Sequence, residues 1–308
     1  MNTSQGTRGK PAGPGLRSVQ EAVARALGEH LPGGVRTGEL DRDGRALRWV
    51  EAGRGGAVPV VLIAGAGTSA LTWSAVLPEL ARYGRVVAYD RAGLGASEPE
   101  RSTAPTLNGQ LADLAALVRH LDAGPALLVG HSWGGQLSQL LAWQRPELVA
   151  GQVLVDPAHE EFQPRSIQVA EAVLNRLWLY RTAVSPTSPE PEEPLARAEA
   201  AVIAHRHQRR ALLAELGLTA AAVPEIRRRR AGAPPTEAPL AVLSATRGLP
   251  RAMRVRWTAF QAGVARSAVR GTHGTVLGAG HAIQADRPHA VVSAVREVAD
   301  RARYFLKD

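Results

Sequence analysis

Apolar positions along the chain fall into two alternating rhythms. Short runs rich in Val, Leu and Ile read as strands: Arg45 to Val50, Val58 to Ala64, Arg85 to Tyr89, Ala126 to Val129, Gln152 to Val155, Leu240 to Leu243 and Thr275 to Leu277. The first follows a turn at Asp41-Arg42-Asp43-Gly44, with sheet rhythm starting near Val35. Between the runs, apolar residues recur three and four apart, as helices do: Trp73, Val76, Leu77 and Leu80; Leu111, Leu114, Leu117, Val118 and Leu121; Leu137, Leu140 and Leu141, as far as Pro146. A further helix surrounds Trp257 and Phe260, and a last one is expected to take Asp286 as its N-cap, Pro288 in its first turn, and Val291, Val292, Val295 and Val298 on its inner face. This alternation predicts an α/β fold: a doubly wound, mostly parallel sheet of about eight strands, with helices on both faces and chemistry at the carboxyl ends of the strands.

Two stretches depart from the rhythm. Residues 1–34 are dominated by Gly, Pro, Ser and Arg, with only Val19 to Leu31 able to form a short helix, so they are expected to be a flexible and dispensable tail. From Pro157 to Ala238 the strands stop, and helical spacing appears at Ile167 to Trp178, at Leu195 to Ile203 and at Leu212 to Leu216, with the irregular Ser185 to Pro191 between the first two. Residues 157–238 therefore read as a helical cap inserted after the sixth strand, between core segments 35–156 and 239–308. A cap there would cover the carboxyl edge, and Phe162, Trp178 and Tyr180 are its expected pocket residues.

Composition then removes several classes of function. The absence of cysteine excludes disulfides, thiolate metal sites and cysteine catalysis. A net charge of +9 and the run Arg227 to Arg230, with Arg206, Arg209 and Arg210, raise the question of nucleic acid. The arginines are spread over the whole chain and aromatics make up only 4%, so a solvated arginine-rich surface is expected and no nucleic-acid partner. No apolar run is long enough to span a bilayer and no secretory-type segment is visible, which predicts a soluble, cytoplasmic protein with no membrane partner. His205 and His207 are spaced badly for one helical face, so no metal site is expected.

The chemistry-bearing stretch is Gly130-His131-Ser132-Trp133-Gly134, a small-x-Ser-x-small turn between a buried strand and a helix. Such a turn pushes the Ser132 hydroxyl clear of the backbone beside the unpaired N–H groups of a helix N-terminus. Serine needs a base. Of nine histidines, His281 stands in a Gly-rich loop after a late strand, on the same sheet edge as Ser132; His131, next to the serine in a strand, is expected to point to the opposite side. The small-residue loop Ala64 to Gly67 lets backbone approach a ligand, and Asp90 is expected to fix the loop Asp90 to Ser97 by accepting backbone hydrogen bonds.

Taken in order, Ala64 to Gly67, Asp90 to Ser97, Gly130 to Gly134 and Gly280-His281 make the chain resemble an α/β-hydrolase-fold serine hydrolase, capped and esterase-like, over roughly residues 35–305. The sequence departs from the commoner pattern at the acid, because no Asp or Glu occurs from Ala238 to His281. The resemblance then implies Asp156, after the sixth strand, as the third member of a Ser132–His281–Asp156 triad, with Glu160 and Glu161 as fallbacks. It also implies an oxyanion hole from the backbone N–H groups of Ala66 and Trp133, a carboxylic ester as small-molecule substrate, and no metal or organic cofactor. Related acyl transfer, amide, carbon–carbon or perhydrolase chemistry, and a ligand-binding scaffold without turnover, are the alternatives. A homodimer is the one protein assembly entertained.

Overall fold

A computed structural model describes residues 15–29, 31–56, 58–100, 104–162 and 193–305. Eight strands form one sheet in the order β1-β2-β4-β3-β5-β6-β7-β8, namely β1 (Arg36–Arg42), β2 (Arg45–Ala52), β3 (Val60–Ile63), β4 (Val86–Tyr89), β5 (Ala126–His131), β6 (Val149–Val155), β7 (Leu240–Ala245) and β8 (Gly271–Val276). The pairs β1–β2 and β2–β4 are antiparallel and the rest parallel. The β1–β2 turn is tighter than expected. Asp41 and Arg42 pair within β1, and only Asp43 and Gly44 turn, both at positive φ (56° and 77°), the two-residue geometry that matches strand twist.

Strand side chains alternate between the two faces of the sheet, as winding on both faces requires. Val60 and Leu62 of β3, with Leu127 and Val129 of β5, join the face covered by α1 (Leu16–Gly28), α2 (Leu77–Leu80) and the last helix, α10 (Pro288–Phe305). Val61, Ile63, Ala126 and Leu128 join the other, under α3 (Leu107–His120) and α4 (Trp133–Gln144). The helix expected through Trp73 to Leu80 is divided into a 3₁₀ turn, Ala70–Trp73, and α2. Pro78 explains the break, since it lacks an N–H and its ring opposes a helix continuing from the preceding turn. The last helix begins at Pro288 as expected, but Asp286 is not its cap. It ends a separate short helix, α9 (Ile283–Asp286), and its carboxylate accepts from Gly280 N at 2.7 Å.

Within the stretch read as a tail, Leu16–Gly28 form a helix. Helix α1 buries Val19, Val23 and Leu27, while Gln20 Nε2 donates to the carbonyls of Gly38 (2.7 Å) and Trp49 (2.9 Å). The short helix read at Val19 to Leu31 is present at Leu16–Gly28, and the spacing 19, 23, 27 makes one apolar helical stripe. This packing argues against the flexible, dispensable tail expected for residues 1–34. Removing residues 1–30 is expected to lower the melting temperature by on the order of 10–20 °C, since each buried aliphatic chain contributes roughly 1.5–3 kcal/mol and each kcal/mol moves a domain of this size by about 2–4 °C. A calorimetric shift under about 3 °C would contradict this.

Between β6 and β7 the described part of the insertion holds α5 (Pro194–Ala204), α6 (Arg206–Ala221) and α7 (Val223–Gly232). Helix α5 packs against α1, with Ala198 and Val202 joining the same core as Val19. Helix α6 crosses the carboxyl edge, where Leu212 lies against Gly67 and Ala211 against Gly93. Helix α7, read from sequence as a charge run, pairs its arginines: Arg227 with Glu161, Arg228 and Arg229 with Glu225, and Arg230 with Glu160. No helix among the described residues is long and apolar enough to cross a membrane.

Candidate active site

Strand β5 is buried along its whole length and ends in a forced turn. Ser132 has φ 51° and ψ −114°, outside the regions an ordinary residue prefers, at a cost of about 1–3 kcal/mol. The surroundings hold it there: its N–H donates to Val155 O at 3.1 Å, and its carbonyl accepts from Gly135 N and Ala158 N. A Cβ at Gly130 would collide with the Gly134 carbonyl, and one at Gly134 with the Ile63 carbonyl, so strand and helix close this tightly only through glycines. Trp133 opens α4, leaving its N–H without an intrahelical acceptor beside the serine.

The acid and base meet across 125 residues of sequence. Asp156, in the loop after β6, places Oδ2 2.7 Å from His281 Nδ1. Its other oxygen, Oδ1, accepts from Ala245 N (3.0 Å), Trp257 Nε1 (2.8 Å) and Gln261 Nε2 (3.0 Å). Burial pushes the Asp156 pKa up, but the hydrogen bond and charge of His281, with the Ala245 and Trp257 donors, outweigh it and hold the carboxyl below its usual range. The carboxylate is therefore ionised at neutral pH and can accept the Nδ1–H, which leaves Nε2 of His281 as the basic nitrogen. Ser132 and His281 line one cavity of about 490 Å³, and no hydrogen bond joins their side chains. Glu160 and Glu161, the fallback acids, are instead engaged by Arg230 and Arg227.

Gly65 and Ala66 form one wall of that cavity, with Trp133, Ala158, Phe162, Leu216 and Trp257 among the others. Phe162 stands edge-on to Trp257, ring centroids 4.7 Å apart. Trp178 and Tyr180 lie outside the described residues. Asp90 does what its position suggested: Oδ1 accepts from Ala70 N (2.7 Å) and Oδ2 from Ala96 N (2.9 Å), while burial raises its pKa to about 6.

His131 does not point away from the site. Its ring packs on His281 with centroids 4.7 Å apart, and Nε2 lies 2.9 Å from the His281 carbonyl. Strand alternation gave the wrong side because Ser132 stands beyond the strand in the turn, while His131 shares the face of Leu127 and Val129, toward which the His281 loop descends into α9 and α10. Burial, aided by the neighbouring His281, pushes His131 down to about 3, so it is a neutral donor to that carbonyl. Trp257 and Gln261 were also missed as site residues. Both lie on α8 (Arg251–Arg266), and their i, i+4 spacing above Ala265 and Val264 is the signal that puts two polar side chains on an inward face.

A model described as the alpha/beta hydrolase family matches residues 60–294. The chain belongs to the alpha/beta hydrolase family. Among curated relatives, it is 39% identical over 119 residues to the dihydrolipoyllysine-residue acetyltransferase component of the acetoin cleaving system of Pseudomonas putida, which covers 37% of this chain and 31% of that one. It is 38% identical over 116 residues to epoxide hydrolase A of Mycobacterium tuberculosis, covering 37% and 35%. The chain thus spans about a third of the length of these relatives. The solved structure of the epoxide hydrolase CorEH without ligand superposes with a TM-score of 0.64 over 86% of this chain and 98% of that one, at 22% identity, a likeness of fold.

Proposed function

We propose that this alpha/beta hydrolase is a serine hydrolase of small or medium carboxylic esters, working through an acyl-enzyme. The observation that carries the reading is the Asp156–His281 pair at 2.7 Å, its carboxylate fixed by three further donors, on the cavity that also holds Ser132. In this mechanism Ser132 Oγ attacks the ester carbonyl while His281 Nε2 takes its proton, and the tetrahedral oxyanion is received by the N–H groups of Trp133 and Ala66. Collapse expels the alcohol, protonated by His281. Water, deprotonated by the same imidazole, then cleaves the acyl-serine and releases the acid. Asp156 holds the Nδ1–H tautomer and stabilises the imidazolium at both steps.

Epoxide hydrolysis, named for several proteins similar to this one, suits this residue set poorly. A serine opening an epoxide would form an alkyl ether, and an ether has no carbonyl at which water could regenerate the enzyme. Acyl chemistry is the turnover that a serine at position 132 supports. The cavity, with Ala66, Ala158, Phe162, Leu216, Leu249 and Trp257 in its lining, accepts a modest apolar acyl or alcohol group. A fluorophosphonate probe is expected to label the protein at Ser132, and a chain-length panel of p-nitrophenyl esters to peak at short to medium acyl groups. Labelling at another serine, or none on folded protein, would refute the reading.

A further inference from the structure

Two residues that no triad requires are buried at the centre of the site's support. Arg91, after β4, and Glu215, on α6 of the insertion, are each about 2% exposed and lie 124 positions apart. Arg91 Nε and Nη2 donate to the two Glu215 oxygens at 2.6 and 2.8 Å. The same guanidinium donates to the carbonyls of Ala64 (2.7 Å) and Gly65 (2.6 Å). Glu215 in turn accepts the N–H of Gly67 at 2.5 Å and Gln110 Nε2 at 2.6 Å, and Gln110 Oε1 accepts the Trp133 indole N–H at 2.8 Å. One ion pair therefore touches the loop that carries Ala66 on both sides of it and reaches Trp133 through a single glutamine.

The direction of these bonds matters. In a planar trans peptide the carbonyl and the following N–H point opposite ways, so fixing the Gly65 carbonyl fixes the Ala66 N–H. That carbonyl is held by Arg91 Nη2 and also by Thr68 N (3.2 Å) and Thr68 Oγ1 (2.9 Å). Turning the carbonyl toward Arg91 turns the Ala66 N–H toward the opposite side of the peptide, and Gly65 and Ala66 both line the cavity. We infer that the Arg91–Glu215 pair positions the oxyanion hole: Arg91 holds the Gly65 carbonyl that aims the Ala66 N–H, while Glu215, supplied by the insertion, holds the Gly67 N–H beside it and reaches the Trp133 indole through Gln110. The inference rests on the serine-hydrolase reading. Neither side chain touches the reacting atoms, so both are positioning residues, and seating of α6 on the core completes the donor geometry.

Two variants test this, each checked for folding by circular dichroism and counted by active-site titration. Arg91→Lys keeps the charge pair but lacks the planar fork that spans two carbonyls and a carboxylate. The double variant Arg91→Gln with Glu215→Gln removes both charges together, leaving neither one buried alone. A misaimed oxyanion donor should lower kcat about 100-fold in the double variant and at least about tenfold in Arg91→Lys, with KM within about threefold. Affinity for a trifluoromethyl ketone, which adds to the serine as an oxyanion, should fall in parallel, while affinity for the matching methyl ketone stays within about threefold. A merely structural pair would lower the melting temperature and leave kcat per titrated site and the ratio of the two ketone affinities unchanged. That result overturns the proposal, as does failure of both variants to accumulate as folded protein. Wild-type protein that neither labels with fluorophosphonate nor binds the trifluoromethyl ketone overturns the serine reading as well.

Discussion

Replacing Asp156 by Asn is expected to lower ester turnover by on the order of ten-thousandfold near neutral pH, with little change in substrate binding. The local hydrogen bonds fix which way the new amide turns. Oδ1 faces three donors, Ala245 N, Trp257 Nε1 and Gln261 Nε2, so the asparagine oxygen must take that position. Its NH₂ then occupies the place of Oδ2, opposite His281 Nδ1. An NH₂ group donates, which obliges Nδ1 to accept and moves the ring proton to Nε2. The nitrogen that should receive the serine proton is then already protonated, and no carboxylate remains to stabilise an imidazolium. Turnover per titrated site, measured on protein with wild-type circular dichroism, decides the matter. Near-normal turnover would remove Asp156 from the mechanism and leave it a support for the loop after β6.

Ser132→Ala is expected to abolish fluorophosphonate labelling and to cut turnover by at least roughly a thousandfold. The covalent route closes, whereas the N–H groups of Ala66 and Trp133 and the cavity survive and sustain a small residual rate. The variant should fold, because Gly130, Gly134 and the Val155 carbonyl that hold the turn are untouched. Alanine still has to adopt φ near 51°. Its stability should therefore stay close to wild type, with none of the gain that relief of strain would bring. A folded alanine variant that retains more than about a tenth of wild-type turnover would show that the nucleophile lies elsewhere.

How much of this was legible in the sequence depends on how far apart the partners lie. Strands β3 to β7 were readable because each is a short apolar run buried on both faces, and the serine turn because its glycines are spaced by a local steric demand, whereas β8 is polar and half exposed and only its end was read, at Thr275 and Val276. Asp156 came only from the family resemblance, which offers the end of the sixth strand when, as here, no Asp or Glu stands from Ala238 to His281. His131 was misplaced because alternation describes a strand and not the turn that leaves it. The Arg91–Glu215 pair gave no sign, because an ion pair between residues 124 apart leaves no periodicity in either neighbourhood. Trp257 and Gln261 stood between: their inward face is visible in the helical spacing, while the carboxylate they serve is not.

Helix α1 lies on two supports, the β1–β2 hairpin through Gln20 and the insertion through α5. Neither α1 nor α5 can separate from the other without baring part of the same apolar seam, so the two belong to one cooperative unit of local unfolding. The free energy that keeps α5 seated is therefore partly written in residues 16–28, far from any group that handles substrate. Opening fluctuations of the insertion are therefore expected to carry α1 with them, and hydrogen exchange should show the two helices losing protection together.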